Sequence, residues 1–221
     1  MRPSSGRSSE RDAGLGEMAL LCIDMQESQI FGLADRARRV GLEDVADRYA
    51  HEVRKVIDNL ATLQARCRQA GLPVIHLKTM SYTDDGRDGS PLFRLYGAPE
   101  EGSTQPGSYN SPIIAEVGPV EGETVVGKIC SGAFNGSELD LILRRMGIGS
   151  LLVCGLVTAS CVENTVRGAS DRGYNVLVVE DGCTDWTEAN HRHSIAVMGK
   201  WFATITTTSD AAALIAEHSV P

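Results

Sequence analysis

No stretch of this sequence approaches the roughly 18 consecutive apolar residues that a membrane-spanning helix requires. The N-terminal stretch MRPSSGRSSERDAG also lacks the apolar core of a signal peptide, so we expect a cytoplasmic protein that does not contact a membrane. Basic residues are in deficit, because 21 Lys and Arg face 29 Asp and Glu and give a net charge of −8. They form no run or stripe that could displace counterions from a phosphate backbone, so nucleic acid is not an expected partner.

The six cysteines form no Cys-x-x-Cys pair and no cluster with histidine at the spacing of zinc ligands. A structural zinc site is therefore not expected. Most of the cysteines lie in apolar stretches such as LLCID and LLVCG, which favours a role as small buried side chains. Only a cysteine in a polar setting is a candidate for chemistry.

Short apolar runs alternate with amphipathic segments along most of the chain. The runs predict strands that are buried on both faces, and hence parallel, at 19–24, 72–77, 123–128, 150–155 and 175–181. Apolar residues at helical spacing predict helices at 45–70, 137–147, 161–172, 188–200 and 208–217. Strands that alternate with helices imply right-handed crossovers, so we predict the α/β class, with a three-layer α/β/α sandwich around a mainly parallel sheet.

A length of 221 residues suits one domain with one hydrophobic core. Residues 1–17 are rich in Ser, Gly, Arg and Glu and lack apolar periodicity, which predicts a disordered tail ahead of a single domain over 18–221. The stretch 80–117 has many Gly, Ser, Asp and Pro residues and little periodicity. We assign this stretch to substrate enclosure or subunit contact, because long irregular segments in compact domains are usually functional or mobile.

Three reactive side chains stand where predicted strands end. Asp24 closes the run ALLCID, Lys128 closes ETVVGK, and Cys161 follows the turn GLVTAS after SLLVC. Ligands of open parallel sheets bind beyond the carboxyl ends of the strands, so we expect these residues to meet at one edge of the sheet. Each alone has an ordinary structural explanation, as a helix cap, a solvated lysine or a packed thiol, but together they indicate a functional site.

The three side chains suit nucleophilic catalysis. A thiol at a helix N-terminus beside an ammonium group is favoured as the nucleophilic thiolate, and Lys128 supplies such a charge. Asp24 is placed to accept the thiol proton and later to deliver it to a departing nitrogen, because an amide nitrogen leaves poorly unless it is protonated. Backbone N–H groups of the turn 155–160 can face the developing oxyanion. The sequence thus predicts a cysteine hydrolase with Cys161 as nucleophile.

Three motifs in a fixed order are specific to a known superfamily. They are IDMQ at 23–26, K-x5-F-x-G-[ST]-[DE]-L from Lys128, and G-x-x-T-x-x-C-V from Gly155. With these motifs the chain resembles the isochorismatase-like cysteine hydrolases, which include nicotinamidase, N-carbamoylsarcosine amidohydrolase, biuret hydrolase and ureidoacrylate amidohydrolase. The resemblance covers most of the chain after residue 18.

The resemblance implies a catalytic triad of Asp24, Lys128 and Cys161, which match the family position for position. It also implies a cis peptide bond between Leu156 and Val157, and an oxyanion hole formed by the backbone N–H groups of Val157 and Cys161. The implied fold is a six-stranded parallel sheet in the order 3-2-1-4-5-6, and the implied assembly is a homodimer or homotetramer. No cofactor is expected.

The region after the second predicted strand departs from the nicotinamidase pattern. Nicotinamidases bind a metal through an Asp-x-His motif and a further histidine, whereas HLKTMSYTDDGRDGS offers only His76. We therefore predict no catalytic metal. His76 lies inside an apolar run and is interpreted as a core histidine, while His191 and His193 are assigned to the surface of a late helix.

Residues that contact the substrate are less clearly indicated. The candidates to bind it are Gln26, Phe31, Phe134 and Thr158, although the two phenylalanines fit a plain core role equally well. The candidates to recognise a substrate carboxylate are Lys78, Arg87 and Arg94, although their charges also fit an ordinary role on the solvated surface. The aromatic candidates to close the pocket are Tyr109 and Trp186.

The leading hypothesis is hydrolysis of a C–N bond in a small amide or ureido compound through a thioester-type intermediate. The lack of metal ligands favours ureido substrates over nicotinamide. One alternative is a non-catalytic small-molecule binding or assembly protein on the same fold. Another is a vinyl ether hydrolase of the isochorismatase type, although such members lack the nucleophilic cysteine. A third is a redox role for Cys161 with Cys154 or Cys183 as partner.

Overall fold

The computed structural model describes residues 18–84, 86–89 and 110–217. The predicted tail at 1–17 and the central part of the 80–117 stretch lie outside these ranges. The described strands are β1 (Met18–Ile23), β2 (Val74–Thr79), β3 (Thr124–Lys128), β4 (Ser150–Leu156), β5 (Asn175–Thr184) and β6 (Thr204–Thr206). The described α-helices are α1 (Glu27–Arg39), α2 (Glu43–Gln69), α3 (Leu139–Arg145), α4 (Glu163–Asp171), α5 (Glu188–Trp201) and α6 (Thr208–Glu217).

The six strands form one parallel sheet in the order β3-β2-β1-β4-β5-β6. This order confirms the predicted α/β class and strand arrangement. Every residue of β1 and of β4 is buried, which explains why these central strands are unbroken apolar runs in the sequence. Strand β3 stands at one edge of the order, next to β2.

Helices cover both faces of the sheet. The long helix α2 packs on β5 and α6, while α4 and α5 also pack on β5. The apolar stripe of α2 recurs every three or four residues and is buried, as shown by Val53, Val56, Ile57, Leu60 and Leu63. None of the described helices combines the length and apolar character needed to cross a membrane.

The sequence pattern does not predict helix α1. Its buried residues Ile30, Ala34 and Ala37 have helical spacing, but two of them are alanines, whose apolar signal is weak. The short strand β6 has no fully buried residue, so it also lacks the apolar run that marks the other strands. Both elements depend on packing against longer neighbours, which a local pattern does not show.

The segment that carries Cys161 also differs from the prediction. Instead of a helix beginning at residue 161, a π-helical turn spans Thr158–Val162 and leads into α4. Cys161 therefore lies within the wider geometry of this π-helical turn, ahead of the regular helix. Such π-type turns are rare in proteins, and those that occur are often found at functional sites.

Candidate active site

Three strand ends carry the predicted catalytic residues. Asp24 directly follows β1, Lys128 is the last residue of β3, and Cys161 lies in the π-helical turn that follows β4. The strands are parallel, so their carboxyl ends meet at the same edge of the sheet. The structure thereby brings together side chains from distant parts of the chain.

An ion pair and a thiol form the centre of this site. Lys128 Nζ lies 2.8 Å from Asp24 Oδ2, and both side chains are fully buried. The same ammonium group donates a hydrogen bond to Cys161 Sγ at 3.4 Å, and Cys161 is only 5% exposed. One cation thus contacts both the carboxylate and the sulfur in a region shielded from bulk water, where charges interact more strongly than at the surface.

Thr79, the last residue of β2, bridges the ion pair. Its Oγ1 accepts a hydrogen bond from Lys128 Nζ at 3.0 Å and donates one to Asp24 Oδ2 at 3.2 Å. Thr79 pairs with Lys128 in the register of β2 and β3, which places the two residues side by side. Thr79 is not among the residues predicted from sequence, although its place at a strand end is the signal that identified Asp24 and Lys128.

The Asp24 carboxylate has one oxygen with no hydrogen-bond donor among the described residues. This atom, Oδ1, is buried, and leaving a buried charged acceptor without a donor costs free energy. The backbone of Asp24 has a φ of 51°, a left-handed conformation that is uncommon for residues other than glycine. Unpaired groups and strained backbones of this kind are concentrated at functional sites. Oδ1 is therefore available to a thiol proton or to an N–H group of a bound molecule.

Burial controls the protonation of the thiol. Burial and the negative charge of Asp24 raise the pKa of Cys161 to about 12, although Lys128 acts in the opposite direction. Burial lowers the pKa of Lys128, but the attraction of Asp24 and Cys161 outweighs it, so the pKa of the ammonium is raised. Burial and Asp24 therefore oppose ionisation of the resting thiol, while Lys128 favours it. The expected thiolate stays a prediction, and desolvation of the sulfur, which sequence does not show, acts against it.

The loop of residues 157–161, called the nucleophile loop below, is held from several sides. The peptide bond between Leu156 and Val157 is cis, as the resemblance implied. The carbonyl oxygen of Val157 accepts hydrogen bonds from the N–H groups of Ser160 at 3.1 Å and Val162 at 3.3 Å. Asp185, which follows β5, accepts a hydrogen bond from the N–H of Ala159 at 2.7 Å. The position of the sulfur is thus set by contacts along the whole loop.

A comparison with models of protein families identifies the family of this chain. The model of the isochorismatase domain matches residues 18–210. The chain belongs to the isochorismatase family. This agrees with the superfamily expected from the three sequence motifs.

Curated relatives of this isochorismatase-family chain include named enzymes. Ureidoacrylate amidohydrolase RutB of Klebsiella pneumoniae is 30% identical over 177 residues, which span 75% of this chain and 72% of the relative. The uncharacterized isochorismatase family protein YecD of Escherichia coli O157:H7 is 31% identical over 145 residues, which span 66% of this chain and 75% of YecD. The protein is therefore a hydrolase of the isochorismatase family.

Solved structures share the fold over most of their length. A cysteine hydrolase from Pseudomonas syringae pv. phaseolicola superposes with a TM-score of 0.76 at 22% identity, covering 92% of this chain and 94% of the other. N-carbamoylsarcosine amidase from Thermoplasma acidophilum superposes with a TM-score of 0.67 at 27% identity, covering 87% and 96% of the two chains. The isochorismatase-family fold thus accounts for almost the whole described structure.

Gln26, a candidate substrate ligand, makes hydrogen bonds that hold the sheet edge together. Its Nε2 donates to the carbonyl oxygens of Thr79 at 3.1 Å and Ser111 at 2.8 Å, and its Oε1 accepts from the N–H of Thr79 at 2.8 Å. The side chain therefore links the ends of β1 and β2. These contacts give Gln26 a supporting role, because they fix Thr79 beside the ion pair.

The other candidate substrate ligands occupy different surroundings. Phe134 is buried against Tyr174, with ring centroids 5.5 Å apart, as in a plain core role. Phe31 is 58% exposed on α1 and borders a shallow depression that Asp24, Lys128 and Cys161 do not line. Phe134 thus has a core environment and Phe31 a largely exposed one, and a role of either in substrate binding stays a prediction.

Thr158 and His191 form a contact that the sequence did not predict. Thr158 is buried in the nucleophile loop, and its Oγ1 lies 2.9 Å from His191 Nδ1. The assignment of His191 to a helix surface was wrong, because the first turn of α5 packs on this loop and leaves the ring half-buried. His193, two residues later, is exposed as expected.

The remaining candidates have varied surroundings, and two of them fall outside the described ranges. Trp186 stacks on Tyr49, with ring centroids 6.1 Å apart. Lys78 is half-buried in β2 and Arg87 is exposed, whereas Arg94 and Tyr109 fall outside the described residues. His76 is a buried core residue whose Nε2 lies 3.0 Å from Glu123 Oε2. All six cysteines are free thiols, including the suggested redox partners Cys154 and Cys183.

A cavity of about 540 Å³ lies between α2, the end of β5 and the start of α5. Its size suits a small ligand, but Asp24, Lys128 and Cys161 do not line it. The ion pair remains the candidate for the chemistry, because there a thiol, a carboxylate and a cation come together around Lys128. Within the described ranges, no group of three or more His, Cys, Asp or Glu side chains is arranged to hold a metal ion. The prediction of a metal-free mechanism stays a prediction.

Proposed function

We propose that this hydrolase cleaves a C–N bond in a small amide or ureido compound, with Cys161 as nucleophile. The observation that carries the proposal is the contact of one buried ammonium, Lys128 Nζ, with Asp24 Oδ2 at 2.8 Å and with Cys161 Sγ at 3.4 Å. The names of two relatives, ureidoacrylate amidohydrolase and N-carbamoylsarcosine amidase, support this substrate class. Both named enzymes act on ureido compounds or amides.

The reaction begins from the neutral thiol. As Cys161 Sγ attacks the substrate carbonyl carbon, its proton moves to Asp24 and a C–S bond forms. We assign this proton to Asp24 Oδ1, because no described residue donates a hydrogen bond to that oxygen. Lys128 stabilises the negative charge that grows on sulfur during the transfer. The thiol is therefore ionised only as it reacts.

The carbonyl electron pair moves onto the substrate oxygen in the same step. We assign the stabilisation of this oxyanion to the backbone N–H groups of Val157 and Cys161. One such donor typically contributes about 10²- to 10³-fold to kcat. The contacts of the nucleophile loop with Asp185 and with its own carbonyl of Val157 support the assignment, because they hold this backbone rigid.

Collapse of the tetrahedral intermediate releases the nitrogen. Protonated Asp24 delivers its proton to the departing nitrogen, the C–N bond breaks, and ammonia or an amine leaves. The carbonyl carbon remains bound to Cys161 as a thioester, or as a carbamoyl-thiol for a ureido substrate. Water that gives a proton to Asp24 then attacks this carbon, the C–S bond breaks, and the proton returns to the sulfur.

We also propose that the enzyme works as a homodimer or homotetramer in the cytoplasm. Large apolar side chains are exposed at α1 and just after it, including Phe31, Val40 and Leu42. A second copy of the chain would remove such a surface from water. Sedimentation velocity checks the expectation, and a monomer at micromolar concentration would contradict it.

A substrate screen tests the catalytic proposal. We would measure release of ammonia or amine from ureido acids, biuret, carbamoyl amino acids, nicotinamide and simple amides. We expect turnover of at least one ureido or amide compound, none in Cys161→Ala, and full activity in the control Cys67→Ala, which removes a buried thiol of α2. Mass spectrometry of the quenched reaction should find the acyl or carbamoyl group on the Cys161 peptide. Unchanged turnover in Cys161→Ala would contradict the proposal.

The same screen separates the alternatives. A non-catalytic binding protein would bind members of the panel without releasing product. A vinyl ether hydrolase would act on an enol ether and would not need the sulfur, so its activity would survive in Cys161→Ala. A redox role would show as loss of activity under strong reductant, whereas the proposed hydrolysis would continue.

A further inference from the structure

Asp185 contacts the nucleophile loop although it is not part of the triad. The residue follows Thr184, the last residue of β5, and is only 2% exposed. Its Oδ2 accepts a hydrogen bond from the N–H of Ala159 at 2.7 Å. Ala159 precedes Cys161 by two residues, so this hydrogen bond fixes the backbone just before the sulfur.

The rest of Asp185 is tied to two helices. Its Oδ1 accepts hydrogen bonds from the N–H of Trp186 at 2.8 Å and from Asn190 Nδ2, in the first turn of α5, at 3.3 Å. Its backbone carbonyl accepts a hydrogen bond from Arg48 of α2. A carboxylate with several N–H donors is held in one orientation, and hydrogen bonds to a charged acceptor are about twice as strong as neutral ones. Asp185 therefore connects the nucleophile loop to the rigid frame of the domain.

A second set of contacts runs from α5 to the same loop. Ser194 Oγ, which donates a hydrogen bond to Glu163 Oε2, also lies 3.3 Å from the carbonyl oxygen of Thr158, and His191 Nδ1 lies 2.9 Å from Thr158 Oγ1. These contacts hold Thr158, whereas Asp185 holds the following peptide. The loop is thus held at two successive residues, by Asp185 ahead of α5 and by His191 and Ser194 of α5.

We propose that Asp185 is a positioning residue for the hydrolysis. Its carboxylate holds the Ala159 peptide and thereby sets the distance from Cys161 Sγ to Lys128 and Asp24. A displacement of a reacting group by about 1 Å can cost about 10²-fold in rate, so a single hydrogen bond at this point affects turnover. The effect on turnover rests on the proposed function, whereas the effect on the loop does not.

The test compares Asp185→Asn with Asp181→Asn in the full chain. Asp181 lies on the same strand end, but its carboxylate accepts hydrogen bonds from Thr208 at the start of α6 at 2.7 and 2.9 Å. Hydrogen exchange measured by mass spectrometry reports protection of the peptide that contains Ala159. The rates kcat and KM, normalised to folded protein and measured well below the melting temperature, report catalysis on any substrate that the wild type turns over.

For Asp185→Asn we expect exchange in this peptide about tenfold faster and kcat about tenfold lower, with KM changed less than threefold. Asp181→Asn should match the wild type in both measurements. If the wild type turns over no compound, the proposed function fails, and faster exchange in Asp185→Asn still supports the positioning of the loop. Wild-type exchange in Asp185→Asn overturns the proposal, whether or not kcat falls.

A second variant covers the case in which Asp185→Asn does not fold. Asn190 is exposed, and its side chain supplies one of the donors to Asp185 Oδ1. Asn190→Ala should give a smaller change in the same direction, with exchange about threefold faster around Ala159. In that case, exchange in Asn190→Ala equal to that of the wild type overturns the proposal.

Discussion

The two ends of strand β3 carry charged groups with opposite surroundings. Glu123 immediately precedes the strand, and Lys128 ends it. The Glu123 carboxylate accepts hydrogen bonds from Arg68 Nε at 2.8 Å and Nη2 at 3.0 Å, from His76 Nε2 at 3.0 Å, and from the N–H of Val120 at 3.0 Å. At the other end, the carboxylate that pairs with Lys128 has an oxygen without a donor among the described residues.

This difference separates stability from chemistry. Burial raises the pKa of Glu123, but hydrogen bonds from Arg68, Val120 and His76 outweigh it and lower the pKa to about 2. The amino end also has one buried atom without a described partner, His76 Nδ1, but burial lowers the pKa of that ring and so disfavours its charged form. At the carboxyl end, in contrast, the atom without a described partner belongs to the carboxylate of Asp24. The carboxylate at the amino end of β3 therefore has hydrogen-bond donors on both oxygens, whereas the carboxylate at the proposed active site has one oxygen without a described donor.

Asp24→Asn, at the carboxyl end of the sheet, should have the largest effect of the changes considered. The amide cannot accept the thiol proton, so we expect kcat to fall by about 10³-fold, which corresponds to about 4 kcal/mol. Steady-state rates on the substrate found in the screen check this, with Asp58→Asn on the exposed face of α2 as control. A loss below tenfold would mean that Asp24 is not the proton acceptor.

Thr79→Val removes the hydroxyl that bridges Lys128 and Asp24 and keeps the shape of the side chain. We expect kcat to fall about tenfold, because both groups lose a buried hydrogen bond and shift relative to the sulfur. Thr79→Ser restores the hydroxyl and should recover most of the rate. Equal rates for the valine and serine variants would show that the bridge does not contribute.

Glu123→Gln tests the amino end of the same strand. Removing the charge weakens the contacts with Arg68, and the carboxylate still meets some solvent, so we expect the free energy of unfolding to fall by about 1–2 kcal/mol at pH 7. Urea unfolding followed by circular dichroism gives this number, while kcat should not change. A drop in kcat without a loss of stability would show that the two ends of β3 are not separate in function.

The smallest expected effect is the change with pH of the difference in unfolding free energy between the wild type and Glu123→Gln. The folded-state pKa of Glu123 lies below the ordinary value of 4.5, so the unfolded chain takes up the proton first as the pH falls. The stability from Glu123 is thus complete above about pH 4.5 and is lost between about 4.5 and 2. Urea unfolding at pH 7, 5 and 3 should show the wild type and Glu123→Gln converging at the lowest pH. A constant difference across this range would contradict the role of the charge.

Sequence alone identifies the strand ends that build the site and misses what supports them. Asp24 and Lys128 close apolar runs, so a local pattern finds them. Thr79 and Asp185 also lie at strand ends, but their importance depends on sheet register and on a turn from another part of the chain. The raised pKa of the Cys161 thiol depends on burial by the whole fold. Such properties arise from tertiary contacts and have no local signature.

The position of Lys128 at the edge of the sheet has a consequence for heat tolerance. Asp24 and Cys161 follow the central strands β1 and β4. Lys128 instead ends the five-residue edge strand β3, whose neighbour in the sheet is β2. Outer elements detach with less free energy than the whole domain needs to unfold. On warming, the ammonium should leave the sulfur before the core melts. We therefore expect the temperature at which this enzyme loses activity to be set by the edge strand β3 rather than by the core of the sheet.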